Sequence, residues 1–245
     1  MSFIYIPAPA ASWVDDYSYD FNGSTGYIDF GNVLDCNRSG ANSALTIAFR
    51  VKLDSIPGSG QERILHKRNG TSEGWWISIH NSGRLRFNFE NNFGDITFIQ
   101  TDTVLSTGTW YHALFTASSG GKADTDLDIE LDGSQDVHAT TSNGIASGNT
   151  TTTSSLIMGA TDAPGDYFDG HLNEVCGWTS VVNAQTKTDC YNSDTPSDPS
   201  TWDTEPEHYW KADGDATGAG NVMDNGSVGG ADGTITGGVT IVADV

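Results

Sequence analysis

Residues 74–89 read Gly74-Trp75-Trp76-Ile77-Ser78-Ile79-His80-Asn81-Ser82-Gly83-Arg84-Leu85-Arg86-Phe87-Asn88-Phe89. Two runs in which large apolar residues alternate with polar ones flank the turn residues Asn81-Ser82-Gly83. A three-residue loop ending in glycine joins antiparallel strands. It pairs position 80 with 84, 79 with 85, 78 with 86, 77 with 87, 76 with 88 and 75 with 89. Successive side chains point to opposite faces. One face is therefore Trp75, Ile77, Ile79, Leu85, Phe87 and Phe89, and the other Trp76, Ser78, His80, Arg84, Arg86 and Asn88. Burying each large apolar side chain stabilises by about 1.5–3 kcal/mol, whereas a slip of one residue would bury two arginines. The first face is core and the register is fixed.

Outward from this hairpin the pattern repeats. Strands are predicted near 18–21, 26–30, 44–53, 62–67, 74–80, 84–90, 95–100, 110–117, 126–131, 136–140, 154–159, 168–178 and 206–211, separated by Gly/Asn/Ser/Asp turns. Helical character is confined to a short piece from Asn183 to Tyr191. Many short strands with polar turns give an all-β, two-sheet antiparallel sandwich with one short helix. Residues 1–16 read as an N-terminal arm: Pro7 and Pro9 discourage regular structure, and Phe3, Ile4, Tyr5 and Ile6 are suited to docking on a neighbour. Residues 17–245 read as one domain, including a C-terminal extension from about 193.

The chain has 245 residues, enough for one large core, and no run of 18 apolar residues. Its start lacks a basic segment followed by a long apolar one, so it does not read as a secretory signal. The formal charge is −21 with only 11 Lys+Arg. That argues against nucleic acid, whose phosphates require cations, and for solubility or Ca²⁺ binding through Asp oxygens. Cys36, Cys176 and Cys190 form no C-x-x-C pair; buried free thiols are expected, with a Cys176–Cys190 bridge as the alternative.

Several segments, in order, resemble the laminin-G-like, concanavalin A-like jelly-roll family. They are Tyr19-Asp20-Phe21-Asn22-Gly23, Leu45-Thr46-Ile47-Ala48-Phe49-Arg50-Val51, Gly108-Thr109-Trp110-Tyr111-His112, Leu127-Asp128-Ile129-Glu130-Leu131-Asp132-Gly133 and, most specifically, Phe168-Asp169-Gly170-His171-Leu172-Asn173-Glu174-Val175-Cys176-Gly177-Trp178. They cover about residues 17–192. The tail carries a further family-like phrase, His208-Tyr209-Trp210-Lys211-Ala212-Asp213-Gly214-Asp215. The resemblance implies a jelly-roll sandwich. With the short arm, the chain is similar to laminin-G-like virion proteins of tailed bacteriophages. The implied role is a non-enzymatic capsid decoration or fibre-like module on the virion surface, partnered by other virion proteins and by copies of itself.

The chemistry in the sequence offers three candidates. Asp126, Asp128 and Glu130 alternate like the acid triad of family-16 glycoside hydrolases, yet they also fit an ordinary hairpin whose Leu127, Ile129 and Leu131 face the core. That hairpin is the expected reading, and catalysis is not expected. Asp162, Asp166 and Asp169 place three carboxylates in one short loop, which reads either as a structural Ca²⁺ site or as solvated loop acids. The second hairpin face, with Trp76, His80, Arg84, Arg86 and Asn88, reads either as a glycan or partner face or as a surface packed under other parts of the chain. A Ca²⁺-dependent carbohydrate-binding or adhesin module, extracellular or on a cell surface, is the alternative to the virion role.

Overall fold

The structure is a computed structural model that describes residues 17–38, 44–69, 73–118, 123–138, 141–145, 148–163, 165–212 and 221–243. One sheet contains β1 (Tyr17–Asn22), β3 (Leu45–Leu53), β8 (Trp110–Ala117), β9 (Leu127–Leu131), β10 (Ser134–Gln135), β13 (Asp169–Trp178), β14 (His208–Trp210) and β17 (Val239–Ala243). Its order is β10-β9-β8-β3-β13-β1-β17, and β14 also pairs with β13. The other contains β2 (Tyr27–Asp29), β4 (Gln61–Arg68), β5 (Gly74–His80), β6 (Leu85–Glu90), β7 (Ile96–Gln100), β11 (Ser142–Asn143), β12 (Ile157–Met158), β15 (Asn221–Val222) and β16 (Gly233–Thr236), in the order β11-β7-β6-β5-β4-β12-β2-β16-β15. All ladders between these strands are antiparallel, as the alternating patterns require.

The hairpin has the predicted register: Trp75 pairs with Phe89, Ile77 with Phe87 and Ile79 with Leu85. Its turn closes through Gly83 N–H donating to His80 O at 2.8 Å, with Gly83 at φ +74°, where a Cβ would be strained. The inward face extends far beyond the hairpin. Ile99, Phe87, Ile77, Leu65, Met158, Ile28 and Ile235 are successive register partners across seven strands. Phe49, Phe115 and Val51 meet them from the opposite sheet in one continuous core. Inside it, Phe87 packs on Phe115 with centroids 5.5 Å apart.

A smaller core lies on the outer side of the eight-stranded sheet. Ala48, Leu114, Cys176 and Tyr209 face outward there, under Val182, Cys190 and Trp202. The cover includes helix α1 (Ala184–Tyr191), capped where Thr186 N–H donates to Asn183 Oδ1 at 2.9 Å. Cys36, Cys176 and Cys190 are buried free thiols.

Two differences from the sequence reading concern short elements. Of the strand expected at 136–140, residues 139–140 lie outside the described residues and Val137 makes only an isolated bridge to Thr101. The paired strand is Ser134–Gln135, and Asp136 turns its carboxylate onto the backbone N–H groups of Asp102 and Thr103. The segment expected to be an extension with one strand near 206–211, the place of β14, also supplies β15, β16 and β17, so it completes both sheets. β17 pairs with β1, and β16 with β2. Trp210 anchors this tail: it is fully buried, packs against Phe30 with centroids 4.3 Å apart and the rings tilted by 35°, and donates from Nε1 to Ala231 O at 2.9 Å. Residues 1–16, including Phe3, Ile4, Tyr5 and Ile6, lie outside the described residues. Trp210→Ala is expected to cost about 3–5 kcal/mol, read as a lower urea midpoint. An unchanged midpoint would show that the tail does not stabilise the sandwich.

Candidate functional site

Because the inner row is apolar, the adjacent row of the nine-stranded sheet must point outward. It runs Phe98, Asn88, Trp76, His66, Ile157, Asp29 and Thr234, again as successive register partners. Trp76 and Asn88, two of the residues expected to bind a ligand, sit in its middle. Trp76 is only 4% exposed. The guanidinium carbons of Arg63 and Arg68 lie 5.0 and 5.3 Å from its ring centroid, a cation–π arrangement that closes the ring to stacking. Asn88 is also buried and donates to Trp76 O at 3.3 Å.

The other three expected residues lie toward the turn. His80 Nδ1 is 3.0 Å from Ser82 Oγ. Arg84 Nη1 donates to Thr101 O at 2.7 Å and to Asp102 O. Arg86 Nε donates to Gln100 Oε1 at 2.9 Å, and its guanidinium lies 4.7 Å from the Phe98 centroid.

Farther along the same outer face the surface opens. A depression of about 450 Å³ is lined by Tyr27, Asp29, Phe30, Ser155, Asp232, Thr234 and Thr236, among others. Tyr27 and Asp29 on β2 are the register partners of Thr236 and Thr234 on β16, so all four face outward around the buried Ile28. Asp29 Oδ1 accepts from Gly31 N–H at 2.8 Å, and Asp232 Oδ1 accepts from Asp224 N–H at 2.9 Å. Each carboxylate is thereby positioned with a second oxygen for a ligand. The sequence reading missed this place because β16 carries only four residues in a glycine-rich tail. The signal available was the alternation of Tyr27 and Asp29 about Ile28.

Asp224 builds the wall behind the depression. Its Oδ2 accepts from His208 Nδ1 at 2.6 Å and from Ala231 N–H at 3.1 Å, while Oδ1 accepts from Tyr209 N–H at 3.1 Å and Gly226 N–H at 3.0 Å. Burial alone would push this carboxyl up. The hydrogen bonds from His208 and from the Gly226 and Tyr209 amides outweigh it and hold it below the ordinary 3.8. A depressed acid stabilises the fold above its unfolded value, and that stabilisation is lost as pH falls through the folded value. Asp224→Asn is therefore expected to lower the melting temperature at neutral pH and to flatten the loss of stability below about pH 4. Parallel melting profiles for the two proteins across that range would contradict this role.

Most of the acids singled out in the sequence turn to separate partners, while Asp128 and Glu130 share Lys187. Asp126 sits in a 3-10 turn, where its Oδ2 accepts from Ala123 N–H at 3.0 Å. Glu130 on β9 is paired at 2.5 Å with Lys187 of α1, and Lys187 also lies 3.8 Å from Asp128. In the loop expected to hold Ca²⁺, Asp166 turns to Arg63 at 3.6 Å. Asp169 accepts from Ser55 Oγ at 2.6 Å, and Asp162 from Ala163 N–H at 2.9 Å. Among the described residues, the group within metal-ligand reach of one another is instead Asp20, Asp54 and His171.

Residues 22–186 match the laminin-G family model described as the concanavalin A-like lectin/glucanases superfamily, and the chain belongs to that superfamily. No curated protein matches it. Among solved structures it is similar to a protein of Bacteroides ovatus ATCC 8483 described as a candidate carbohydrate-binding protein, with TM-score 0.63 and 18% identity over 94% of this chain and 60% of the other. It is also similar to the heptameric SAP-like pentraxin of Limulus polyphemus, with TM-score 0.53 and 14% identity over 74% of this chain and 84% of that one. At these identities the likeness is one of fold. The chain spans 60% of the length of the Bacteroides protein.

Proposed function

From that membership we propose that the chain is a non-catalytic carbohydrate-binding module. It takes a neutral oligosaccharide in the depression between β2 and β16. The observation that carries this reading is the lining of that depression: an aromatic ring at Tyr27, carboxylates at Asp29 and Asp232, and hydroxyls at Ser155, Thr234 and Thr236. A sugar presents C–H faces that pack on a ring and hydroxyls that donate to carboxylates, and sites of this kind combine an apolar wall with a few placed polar groups. The acidic lining and a net charge of −21 disfavour sugars that carry carboxylate or sulfate. The superfamily spans lectins and glucanases. The engagement of Glu130 by Lys187 supports the binding side of that range.

Tyr27→Ala and Asp29→Asn should each weaken binding of a neutral oligosaccharide found by glycan array. A loss of about tenfold corresponds to about 1.4 kcal/mol, and it is measured by titration calorimetry, with no hydrolysis of the bound sugar. Unchanged affinity in both variants, preference for acidic glycans, or turnover of the sugar would contradict the proposal.

The attachment of this module to a virion surface, through residues 1–16 and self-association, is a finer proposal supported by the resemblance alone. A defined oligomer in light scattering that dissociates when residues 1–14 are removed would support it. A monomer in both forms would contradict it.

A further inference from the structure

We propose that the outer face of the eight-stranded sheet holds a divalent transition-metal ion, of the zinc class, on Asp20, Asp54 and His171. This site lies on the opposite sheet from the sugar depression and does not depend on the glycan reading. Asp20 of β1 and His171 of β13 are direct register partners. Asp54 follows β3, whose Leu53 pairs with Gly170, the residue before His171. Three backbone segments locked in one ladder thus bring an imidazole nitrogen and two carboxylate oxygens within 4.8 Å of one another.

The donors are held from behind. His171 Nδ1 is 3.2 Å from the hydroxyl of Ser18, a fully buried residue. That contact leaves Nε2 facing Asp54 Oδ2 at 3.5 Å. An imidazole that binds a metal through one nitrogen is oriented in this way through the other. Asp20 Oδ2 accepts from Thr240 Oγ1 at 3.3 Å, a second support of the same kind.

Charge points the same way. Among the described residues, the ion-pair partner of these two carboxylates is His171, on Asp54. Lys52 is the next residue in the row, as the register partner of His171, yet its Nζ lies 5.0 Å from the Trp110 centroid. Two acids are therefore brought together beside a cation that leans on an indole. A bound dication would compensate them where no lysine does.

The donor set chooses the ion. Ca²⁺ takes six to eight oxygens, whereas an imidazole with two carboxylates suits Zn²⁺ and its first-row neighbours. The Asp54 side chain is 45% exposed, so water has access to complete the shell. The ion would tie the end of β3 to β1 and β13.

The test is titration of metal-free protein with Zn²⁺ alone, without sugar, on the full chain, on His171→Gln and on Asp54→Asn, each checked for folding by circular dichroism. The expected result is one bound equivalent, weakened at least about tenfold in each variant, with no displacement by equal Ca²⁺. Because Asp54 is partly exposed, its variant keeps the test valid if His171→Gln fails to fold. Co²⁺ supplies the second readout. The site predicts ligand-field bands without thiolate charge transfer, which separates it from the buried Cys190, 3.3 Å from His112. No saturable binding, unchanged binding in the folded variants, a thiolate band, or competition by equal Ca²⁺ would overturn the proposal.

Discussion

The two-residue alternation that the nine-stranded sheet keeps on either side of the bulge between Arg63 and Leu65 is the constraint on which the rest of the structure depends. Once Ile77 and Phe87 face the core, pairing carries the same orientation through Leu65, Met158 and Ile28 to Ile235. No strand can shift by one residue without turning this row to water and its polar neighbours inward. The orientation of Tyr27, Asp29, Thr234 and Thr236 is therefore set by the burial of Ile28, and so at a distance by the hairpin at Trp75–Phe89.

What covers each outer face decides where the surface stays open. On the eight-stranded sheet, α1 and Trp202 cover Leu114, Ala48 and Cys176, and Lys187 of that helix pairs with Glu130. The row from Asp20 through His171 and Lys52 to Trp110 lies beyond this cover. On the nine-stranded sheet, Arg63 and Arg68 close over Trp76, while the end built by β2 and β16 retains its depression. In a chain with only 11 Lys+Arg, several cations are used to satisfy interior positions. Lys67 is fully buried, 3.0 Å from Asp35, and donates to Asn32 Oδ1 at 2.6 Å.

Legibility in the sequence followed the strength of the local signal. The hairpin, β3, β8 and β13 were readable because long alternating runs admit one register. The short helix was placed at Asn183–Tyr191, and the structure has it at Ala184–Tyr191 with Asn183 as its cap. The tail strands were not, since β16 and β17 take their partners from β1 and β2, more than two hundred residues away in the chain. The aromatic ring at Trp76 was correctly placed on the outer face, but its enclosure was not readable. It follows from a bulge between Arg63 and Leu65, which turns both Ile64 and Leu65 inward and leaves Arg63 to fold over the indole. Asp20, Asp54 and His171 escaped notice for a similar reason: they come from two strands and the residue after a third, and share no sequence spacing.

The most direct measurement of the central claim is amide hydrogen exchange with and without a saturating neutral oligosaccharide. The outward face of β2 and β16 as the binding surface predicts slowed exchange at residues 27–31 and 230–236, with 74–90 unchanged. Slowing centred on 74–90 or on β9, or no slowing anywhere in the sandwich, would contradict it.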